Sequence, residues 1–173
     1  MRIRQAVESD AKSILEIYDF YVRNTAITFE VSSPTEEQMR DRIRTYLKLG
    51  WLVYEVEGKV AGYAYASPHR SREAYQWCCE VSAYVDQAYH RKGIGRDLYI
   101  RLLEILRGRG FVHAYAGITL PNAASVRLHE SHGFSQLAIY PQIGFKMGKW
   151  HDVGWWSLML NSTLPNPSPP LIG

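Results

Sequence analysis

The chain has 173 residues, which is enough for one domain with a single hydrophobic core. Hydrophobic residues make up 46% of the sequence and charged residues 21%, a composition typical of soluble globular proteins. The net charge of +3 is far from the basic excess of a nucleic-acid-binding protein, so nucleic acid is excluded as the main partner.

The hydrophobic periodicity predicts elements in the order β-α-α-β-β-β-α-β-α-β-β, which describes a mixed α/β sheet flanked by helices. Strands are predicted over residues 2–7, 51–56, 60–67, 77–85, 111–119, 135–140 and 152–160, and helices over residues 11–22, 33–50, 93–107 and 122–132. Ser9 is predicted to cap the first helix. In the second helix, Ser33 would be the N-cap, Pro34 the first helical residue and Glu36 its partner in a capping box.

The chain is expected to be one domain over residues 1–162, followed by a disordered tail over residues 163–173, which contains four prolines. No stretch has the pattern of a signal peptide or the length of a membrane span. The only cysteines, Cys78 and Cys79, are neighbours that would face opposite sides of a strand, so neither a disulfide framework nor a metal site follows. We expect a cytoplasmic protein that does not bind membranes.

Glu80 is a carboxylate within a predicted strand that is otherwise rich in apolar residues. A central strand of an α/β sheet is normally apolar on both faces. Glu80 therefore lies either at an exposed strand end or in a cleft, and in a cleft it could act as a general base.

Residues 90–96 (HRKGIGR) lie between this strand and a predicted helix. The free backbone amides at a helix start bind anions, glycines let the backbone approach a phosphate, and three basic residues add charge. The third glycine of a dinucleotide-binding motif is replaced by Leu98, and the Lys-Ser/Thr pair of a P-loop is absent. A pyrophosphate site and an ordinary loop both remain open.

Asn122 is well placed to cap the predicted helix that follows the next strand. Ser125, His129 and His132 are spaced to form a polar stripe on one face of that helix. A histidine that faces a cleft could donate a proton. Zinc binding by the two histidines lacks a third ligand in the sequence.

These three segments, in this order, resemble the GNAT superfamily of acyl-CoA-dependent N-acetyltransferases. The superfamily signature has a strand, a Gln/Arg-x-x-Gly-x-Gly/Ala loop that opens a helix, and then a strand and an Asn-led helix that ends near Gly-Phe. This chain has His90 at the first position of the loop. The resemblance covers about residues 1–160 and is closest to the phosphinothricin/methionine sulfoximine acetyltransferase group, through residues 24–30, 72–77, 80–82, 125–130 and 148–154.

The resemblance implies an α/β (α+β) fold, the GNAT acyl-CoA N-acyltransferase fold, with a mixed central sheet splayed between its fourth and fifth strands. It implies acetyl-CoA as co-substrate with no metal, a small-molecule amine as acceptor, and a homodimer. The implied cofactor-binding residues are Ala83, Tyr84 and Val85 for the pantetheine arm, Arg91, Lys92, Gly93, Ile94, Gly95 and Arg96 for the pyrophosphate, and Asn122 and Ser131 nearby.

The resemblance also implies catalytic roles, with Glu80 as general base and His129 as the acid that protonates the departing thiolate. The implied substrate-binding residues are Phe29, Arg72, Glu73, Ala74, Tyr75, Glu80, Val81 and Ser82. Among these, Arg72 and Tyr75 would hold the anionic group of an amino-acid-like substrate.

Two other functions remain open at this point. One is a GNAT acetyltransferase for another amine, such as a polyamine, a protein amino terminus or an aminoglycoside. The other is a non-catalytic acyl-CoA-binding regulator. Trp150, His151 and Asp152 are expected to form a pocket wall or a dimer contact rather than a His-Asp dyad, because neighbours on a strand face opposite ways.

Overall fold

The computed structural model describes residues 1–172, and within this range all eleven predicted strands and helices are present in their predicted order. The strands are β1 (Arg2–Gln5), β2 (Trp51–Val56), β3 (Lys59–Pro68), β4 (Cys78–Val85), β5 (His113–Thr119), β6 (Ser135–Lys146) and β7 (Lys149–Met159). The α-helices are α1 (Ala11–Asn24), α2 (Glu36–Gly50), α3 (Ile94–Gly108) and α4 (Ala123–Ser131). Single turns of 3₁₀ helix lie at Glu8–Asp10, Glu73–Tyr75 and Gln87–Tyr89.

The strands form one sheet in the order β1-β2-β3-β4-β5-β7-β6. Neighbouring strands in the described range are antiparallel except for β4 and β5, which are parallel. The parallel pair contains three register positions, from Cys78 opposite His113 to Glu80 opposite Tyr115. Beyond Glu80 both strands continue but no longer pair with each other, so a gap opens between them. The predicted splay between the fourth and fifth strands is confirmed.

Helices cover both faces of the sheet beside this gap. Leu98, Leu102 and Leu106 form a fully buried stripe along α3 and pack on one face. On the opposite face, Ile14 of α1 and Ile43 of α2 join a second buried cluster with residues of β2 and β3. The two clusters hold β3 and β4 in fixed positions next to the gap.

The start of α2 differs from its prediction. The N-cap is Thr35, whose hydroxyl accepts a hydrogen bond from the Gln38 amide at 3.2 Å, while the Gln38 side chain accepts from the Thr35 amide at 2.8 Å. Ser33 and Pro34 lie outside the helix, and the Ser33 hydroxyl donates to Asp19 instead. The sequence contains two overlapping capping boxes, and the later one is used.

The start of α1 also differs, because the 3₁₀ turn Glu8–Asp10 precedes it and Ser9 is not its cap. Asp10 is the residue before α1, and its carboxylate accepts hydrogen bonds from Arg4 at 2.7 and 2.8 Å and from the Val7 amide at 2.9 Å. An ion pair with β1 therefore fixes this helix start, where the sequence indicated a serine cap.

The hairpin of β6 and β7 is longer than predicted and turns at Met147 and Gly148, which both have positive φ (54° and 77°). The sequence predicted strands that stop at residue 140 and resume at residue 152. The register shifts between Tyr140 and Gly144, so the alternation that identifies a strand is interrupted there.

The tail over residues 163–172 has no regular secondary structure, but it is held against the domain. The Trp77 indole donates to the Ser168 carbonyl at 2.9 Å, and the Leu171 amide donates to the Arg109 carbonyl at 2.8 Å. Two backbone carbonyl contacts therefore connect this proline-rich segment to the body of the domain.

Candidate active site

Glu80 lies at the last register position of β4 and β5, opposite Tyr115, and pairs with Ser67 of β3 on its other side. Its side chain is 30% exposed. Glu80 is therefore inside the sheet where the strands separate, and not at a frayed strand end. By strand alternation Ser82 shares the face of Glu80, whereas Val81 is buried on the opposite face.

His69 contacts Glu80 directly: its Nδ1 lies 2.9 Å from Oε1 of the carboxylate. The imidazole is stacked on Tyr115 with ring centres 4.6 Å apart and meets the edge of Trp155 at 5.9 Å. The Arg70 guanidinium lies 4.0 Å from the same carboxylate oxygen and is half exposed. The base candidate thus has a histidine partner and a nearby cation.

His69 is a site residue that the sequence did not predict, because it lies in a polar segment that carries no motif. Strand pairing provides the signal that could have found it. Ser67 of β3 is opposite Glu80, and side chains two positions apart along an extended chain point to the same face of a sheet. His69 is therefore expected on the face of Glu80.

The predicted substrate residues after β3 lie on the turn Glu73–Tyr75, which begins with a hydrogen bond from the Tyr75 amide to the Arg72 carbonyl at 3.0 Å. Arg72, Glu73, Ala74 and Tyr75 are all exposed. The Tyr75 ring centre is 6.3 Å from that of His69, so Tyr75 is beside the Glu80 site. Arg72 forms no ion pair within residues 1–172 and is available to an anion.

Phe29, in the connection between α1 and α2, packs against Gly144 of β6, and its ring centre is 6.1 Å from that of His151 on β7. Lys146 is buried, and its ammonium group donates to the Thr28 carbonyl at 2.7 Å. Burial lowers the pKa of Lys146. The β6–β7 hairpin therefore holds the segment that carries Phe29.

The segment Trp150-His151-Asp152 has three different environments. His151 is buried and its Nε2 is 3.0 Å from the Lys146 carbonyl, whereas Trp150 is 60% exposed. Asp152 accepts a hydrogen bond from the Gln142 amide at 2.8 Å. His151 and Asp152 have separate partners and form no dyad, and His151 belongs to the wall beneath Phe29.

The loop of residues 90–96 ends at the start of α3, where Gly93 is the N-cap with φ 81°, a left-handed conformation that glycine adopts without strain. Gly95 has room for a side chain inside the protein: a Cβ there would lie 3.4 Å from Leu128, an ordinary contact. Packing therefore does not require glycine at 95.

The cations of this loop are arranged around the first free amides of α3. Arg91, Lys92 and Arg96 are exposed, and Arg96 pairs with Asp97 at 3.1 Å. Ile94 is buried, so it offers only its backbone to a ligand. Free amides, the helix dipole and exposed cations together make an anion site.

The backbone of β4 divides its hydrogen-bonding groups between β3 and the gap. The Tyr84 carbonyl lies against Gly62 of β3, so Tyr84 is engaged within the sheet. Because these groups alternate along a strand, those of Val81, Ala83 and Val85 point away from β3. The last bridge, Glu80 opposite Tyr115, uses the Val81 amide to pair with β5, so the first amide of β4 that faces the open gap is that of Ala83. Of the three residues expected to contact a pantetheine arm, Ala83 and Val85 are placed to do so through their backbone.

The Val85 carbonyl already has internal partners. It accepts a hydrogen bond from the Tyr21 hydroxyl at 2.6 Å, and His90 Nε2 lies 3.0 Å away. The Val85 amide therefore remains free to bind a ligand. His90, which stands where the family has Gln or Arg, anchors the loop to β4 and α1.

Asn122 and Ser131 lie at the two ends of α4. The Asn122 side-chain oxygen accepts from the Ser125 amide at 3.1 Å, which confirms the predicted N-cap and leaves its amide group free. The Ser131 hydroxyl donates to the Leu128 carbonyl at 2.7 Å but is exposed.

His129 is 5% exposed, and both of its ring nitrogens have partners. Nδ1 is 2.7 Å from the Ser125 carbonyl, to which it must donate, and Nε2 is 2.9 Å from the Tyr99 hydroxyl. Burial lowers the pKa of His129, so the neutral ring is favoured and its Nε2 accepts a hydrogen bond from the Tyr99 hydroxyl. His129 has no proton on Nε2 to give in this state.

Within residues 1–172 there is no group of three or more His, Cys, Asp or Glu side chains that could hold a metal ion. His129 and His132 each lie within hydrogen-bond distance of a carbonyl of their own helix. No helix in this part of the chain has the length and hydropathy needed to cross a bilayer.

Comparisons with known proteins agree with this geometry. Residues 3–155 match the acetyltransferase (GNAT) domain family. The phosphinothricin N-acetyltransferase of Streptomyces viridochromogenes is 38% identical over 172 residues, which cover 99% of this chain and 93% of that protein. The L-methionine sulfoximine/L-methionine sulfone acetyltransferase of Salmonella typhimurium is 37% identical over 163 residues, or 93% of this chain and 95% of that protein.

The similar solved structures include complexes with acetyl-CoA. A GNAT superfamily phosphinothricin acetyltransferase from Sinorhizobium meliloti in complex with acetyl-CoA matches with a TM-score of 0.92 and 35% identity, over 96% of this chain and 92% of that one.

Proposed function

The chain belongs to the GNAT family of acetyl-CoA-dependent N-acetyltransferases, and from this premise we propose that its acceptor is the α-amine of a small amino-acid-like substrate. The substrate class is that of phosphinothricin, methionine sulfoximine and methionine sulfone. The observation that carries the proposal is the Glu80 carboxylate at the point where β4 and β5 separate. It is on the strand that leads to the anion-binding loop.

The residues around the gap fit acetyl-CoA. The Val81 carbonyl, the inward backbone groups of Ala83 and the Val85 amide suit the amides of a pantetheine arm. The amides at the start of α3, which Gly95 leaves uncovered, suit a pyrophosphate. The free amide group of Asn122 can donate to the arm. Bound in this way, acetyl-CoA supplies an acetyl group activated as a thioester.

Glu80 is the proposed general base. An α-amine is mostly protonated at neutral pH, so it must lose a proton before it attacks the thioester carbon. Glu80 accepts this proton, directly or through one water, and the neutral amine then attacks the thioester carbon to form the C–N bond. The tetrahedral oxyanion collapses as the C–S bond breaks, while the nitrogen gives up its second proton and the departing thiolate takes one up. Negative charge develops on the carbonyl oxygen, and a free backbone amide of the splayed part of β4 would stabilise it.

His129 is the proposed acid for the departing thiolate, in a secondary role. A proton could leave its Nε2 only after the ring gains a second proton, which its burial disfavours. A thiolate also leaves readily without help. We therefore expect loss of Glu80 to reduce the rate more than loss of His129.

The proposed substrate contacts are the exposed Arg72 for the carboxylate or phosphinate-like group, with Tyr75 and Phe29 as walls. A guanidinium binds such planar or tetrahedral anions through two hydrogen bonds. A polyamine, an aminoglycoside or a protein amino terminus would be favoured by an acidic acceptor surface, so an unpaired arginine argues against them. A non-catalytic acyl-CoA-binding regulator would have no need of a carboxylate held at the strand separation.

The test is the pH dependence of kcat/KM, measured by release of the CoA thiol, for wild type and Glu80→Gln. We expect Glu80→Gln to lose activity by about a hundredfold or more, the usual range for a general base, and to lose the acidic limb of the profile. Glu104→Gln, an exposed carboxylate on α3, is the matched control. An unchanged acidic limb in Glu80→Gln would contradict the base assignment.

We propose that the enzyme is a homodimer formed through the β6–β7 hairpin. β6 is an edge strand, and the hairpin exposes a contiguous set of apolar side chains. Each is between 47% and 62% exposed: Leu137, Ile139, Ile143, Phe145, Met147 and Trp150. Monomeric proteins rarely expose an apolar patch of this kind to water. A second copy of the chain can bury it, because a two-fold axis brings the same edge of both copies together.

We also propose a cytoplasmic location. Cys78 and Cys79 are both free thiols, as expected in a reducing compartment. Acetyl-CoA, which the reaction consumes, must be available there.

A further inference from the structure

His69 contacts the Glu80 carboxylate although no motif of the sequence includes it. Its side chain is 16% exposed, and Nδ1 lies 2.9 Å from Oε1. The ring is stacked on Tyr115 at 4.6 Å and meets the edges of Trp155 at 5.9 Å and Tyr75 at 6.3 Å. Three aromatic rings and one hydrogen bond therefore fix its orientation.

The direction of the hydrogen bond follows from chemistry. An ionised carboxylate only accepts, so the proton lies on Nδ1 of His69 and is donated to Oε1 of Glu80. Arg70 approaches the same oxygen, at 4.0 Å. The other carboxylate oxygen, Oε2, accepts no hydrogen bond from residues 1–172. His69 therefore holds Oε1 in place, and Oε2 is free to contact the substrate.

We propose that His69 is a positioning residue for the acetyl transfer: it holds Oε1 of Glu80 and leaves Oε2 to the acceptor amine. This inference rests on the proposed function. In the reaction, Oε2 takes the proton of the ammonium group before the C–N bond forms. His69 keeps its Nδ1 proton throughout.

The other charged and titratable groups around Glu80 do not replace this donor. Arg70 is half exposed, so water screens its attraction. Tyr115 on β5 is packed against His69, and burial raises its pKa. The buried Cys79 precedes Glu80 on β4, and burial raises its pKa as well. Both groups are neutral near pH 7, so His69 is the donor that packing holds against the carboxylate.

Two substitutions separate positioning from other roles. His69→Phe keeps the aromatic packing but removes the donor. We expect kcat/KM for the amine to fall about ten- to a hundredfold, since a hydrogen bond to a charged group is lost. His69→Asn offers an amide N–H near the place of Nδ1 and should restore most activity.

His113→Phe is the control, since the His113 ring also lies over Tyr115, at 6.0 Å, but makes no hydrogen bond to Glu80. It should behave as wild type. A His69→Asn variant as inactive as His69→Phe would show that the imidazole itself takes the proton. A His69→Phe variant with the activity of wild type would show that the contact has no role. Either result overturns the proposal.

A measurement without turnover separates this inference from the proposed function. Nitrogen NMR of the histidine rings in the substrate-free protein should show the His69 proton on Nδ1 at neutral pH, and a proton on Nε2 overturns the inference. If no amine releases thiol in wild type, the proposed function fails, whatever the NMR result.

Discussion

The ammonium group of Lys146 donates a hydrogen bond of 2.7 Å to the carbonyl oxygen of Thr28, 118 residues earlier in the chain. Both residues are buried, Lys146 to 6% and Thr28 to 8% exposure. The next residue, Phe29, packs on Gly144 of the same strand as Lys146. A buried cation thus fastens the connection between α1 and α2 to the β6–β7 hairpin, beside the proposed acceptor pocket.

Lys146→Met should weaken binding of the amine and spare the donor. It leaves the Thr28 carbonyl buried without its donor, which costs about 1–3 kcal/mol, so the segment that carries Phe29 loosens. We expect KM for the amine to rise about tenfold, with KM for acetyl-CoA unchanged. Lys149→Met, an exposed lysine of the same hairpin, is the control for steady-state kinetics. Equal changes in both KM values would contradict a specific role at the pocket.

Gly95→Ala should weaken binding of acetyl-CoA and spare binding of the amine. A Cβ at this helical position makes only an ordinary contact with Leu128, so the fold tolerates it, and alanine adds about 0.5–1 kcal/mol of helix stability. The methyl group would stand where the pyrophosphate approaches the backbone. We expect KM for acetyl-CoA to rise about tenfold or more while urea unfolding shows no loss of stability.

Gly108→Ala, at the other end of α3, is the matched control for this helix, since a Cβ there meets nothing within 4 Å. It should leave both KM values as in wild type. A normal KM for acetyl-CoA in Gly95→Ala would place the donor elsewhere.

The stability of the protein should decrease as the pH falls from 7.5 to 5.5, in part through His129. Burial lowers the pKa of His129 below its value of about 6.5 in the unfolded chain, so between the two values the unfolded chain binds more protons. Acid therefore favours unfolding in this window. Urea unfolding of His129→Gln should show a weaker decrease over the same range, and an identical decrease would show that His129 does not titrate in this way.

Phe145→Asp should separate the dimer. Phe145 is 57% exposed on β6 and contacts the exposed Trp150, with ring centres 5.4 Å apart. A charge there would be buried without a partner in the proposed interface. Light scattering should give wild type twice the 19.9 kDa chain mass and the variant a single chain mass. Ile100→Asp, on an exposed face of α3, is the control and should remain dimeric. A monomeric wild type would contradict the interface.

Local sequence patterns predicted the parts of the site that lie on one segment each. Gly93 and Asn122 mark helix starts, and the structure has them as the N-caps of α3 and α4. Glu80 could be singled out because a carboxylate is rare in a central strand. That Glu80 lies where the strands separate was predicted from the family resemblance, because the sequence of one strand does not determine its register with a parallel neighbour.

The contacts that the sequence did not predict join segments that are distant along the chain. His69 meets Glu80 across the β3–β4 pairing, and Lys146 meets Thr28 across 118 residues. A lysine in a strand ordinarily indicates a solvent-facing position, so its burial depends on packing that no local pattern encodes.

The most direct test of the account is a thiol-release assay with acetyl-CoA and a panel of amines. The panel contains phosphinothricin, methionine sulfoximine, methionine sulfone, ordinary amino acids and spermidine. We predict the highest kcat/KM for one of the first three, and a decrease of about tenfold or more for that substrate in Arg72→Ala, because a bidentate contact to its anionic group is lost. Preference for spermidine, or an Arg72→Ala variant as active as wild type, would contradict the proposed substrate class.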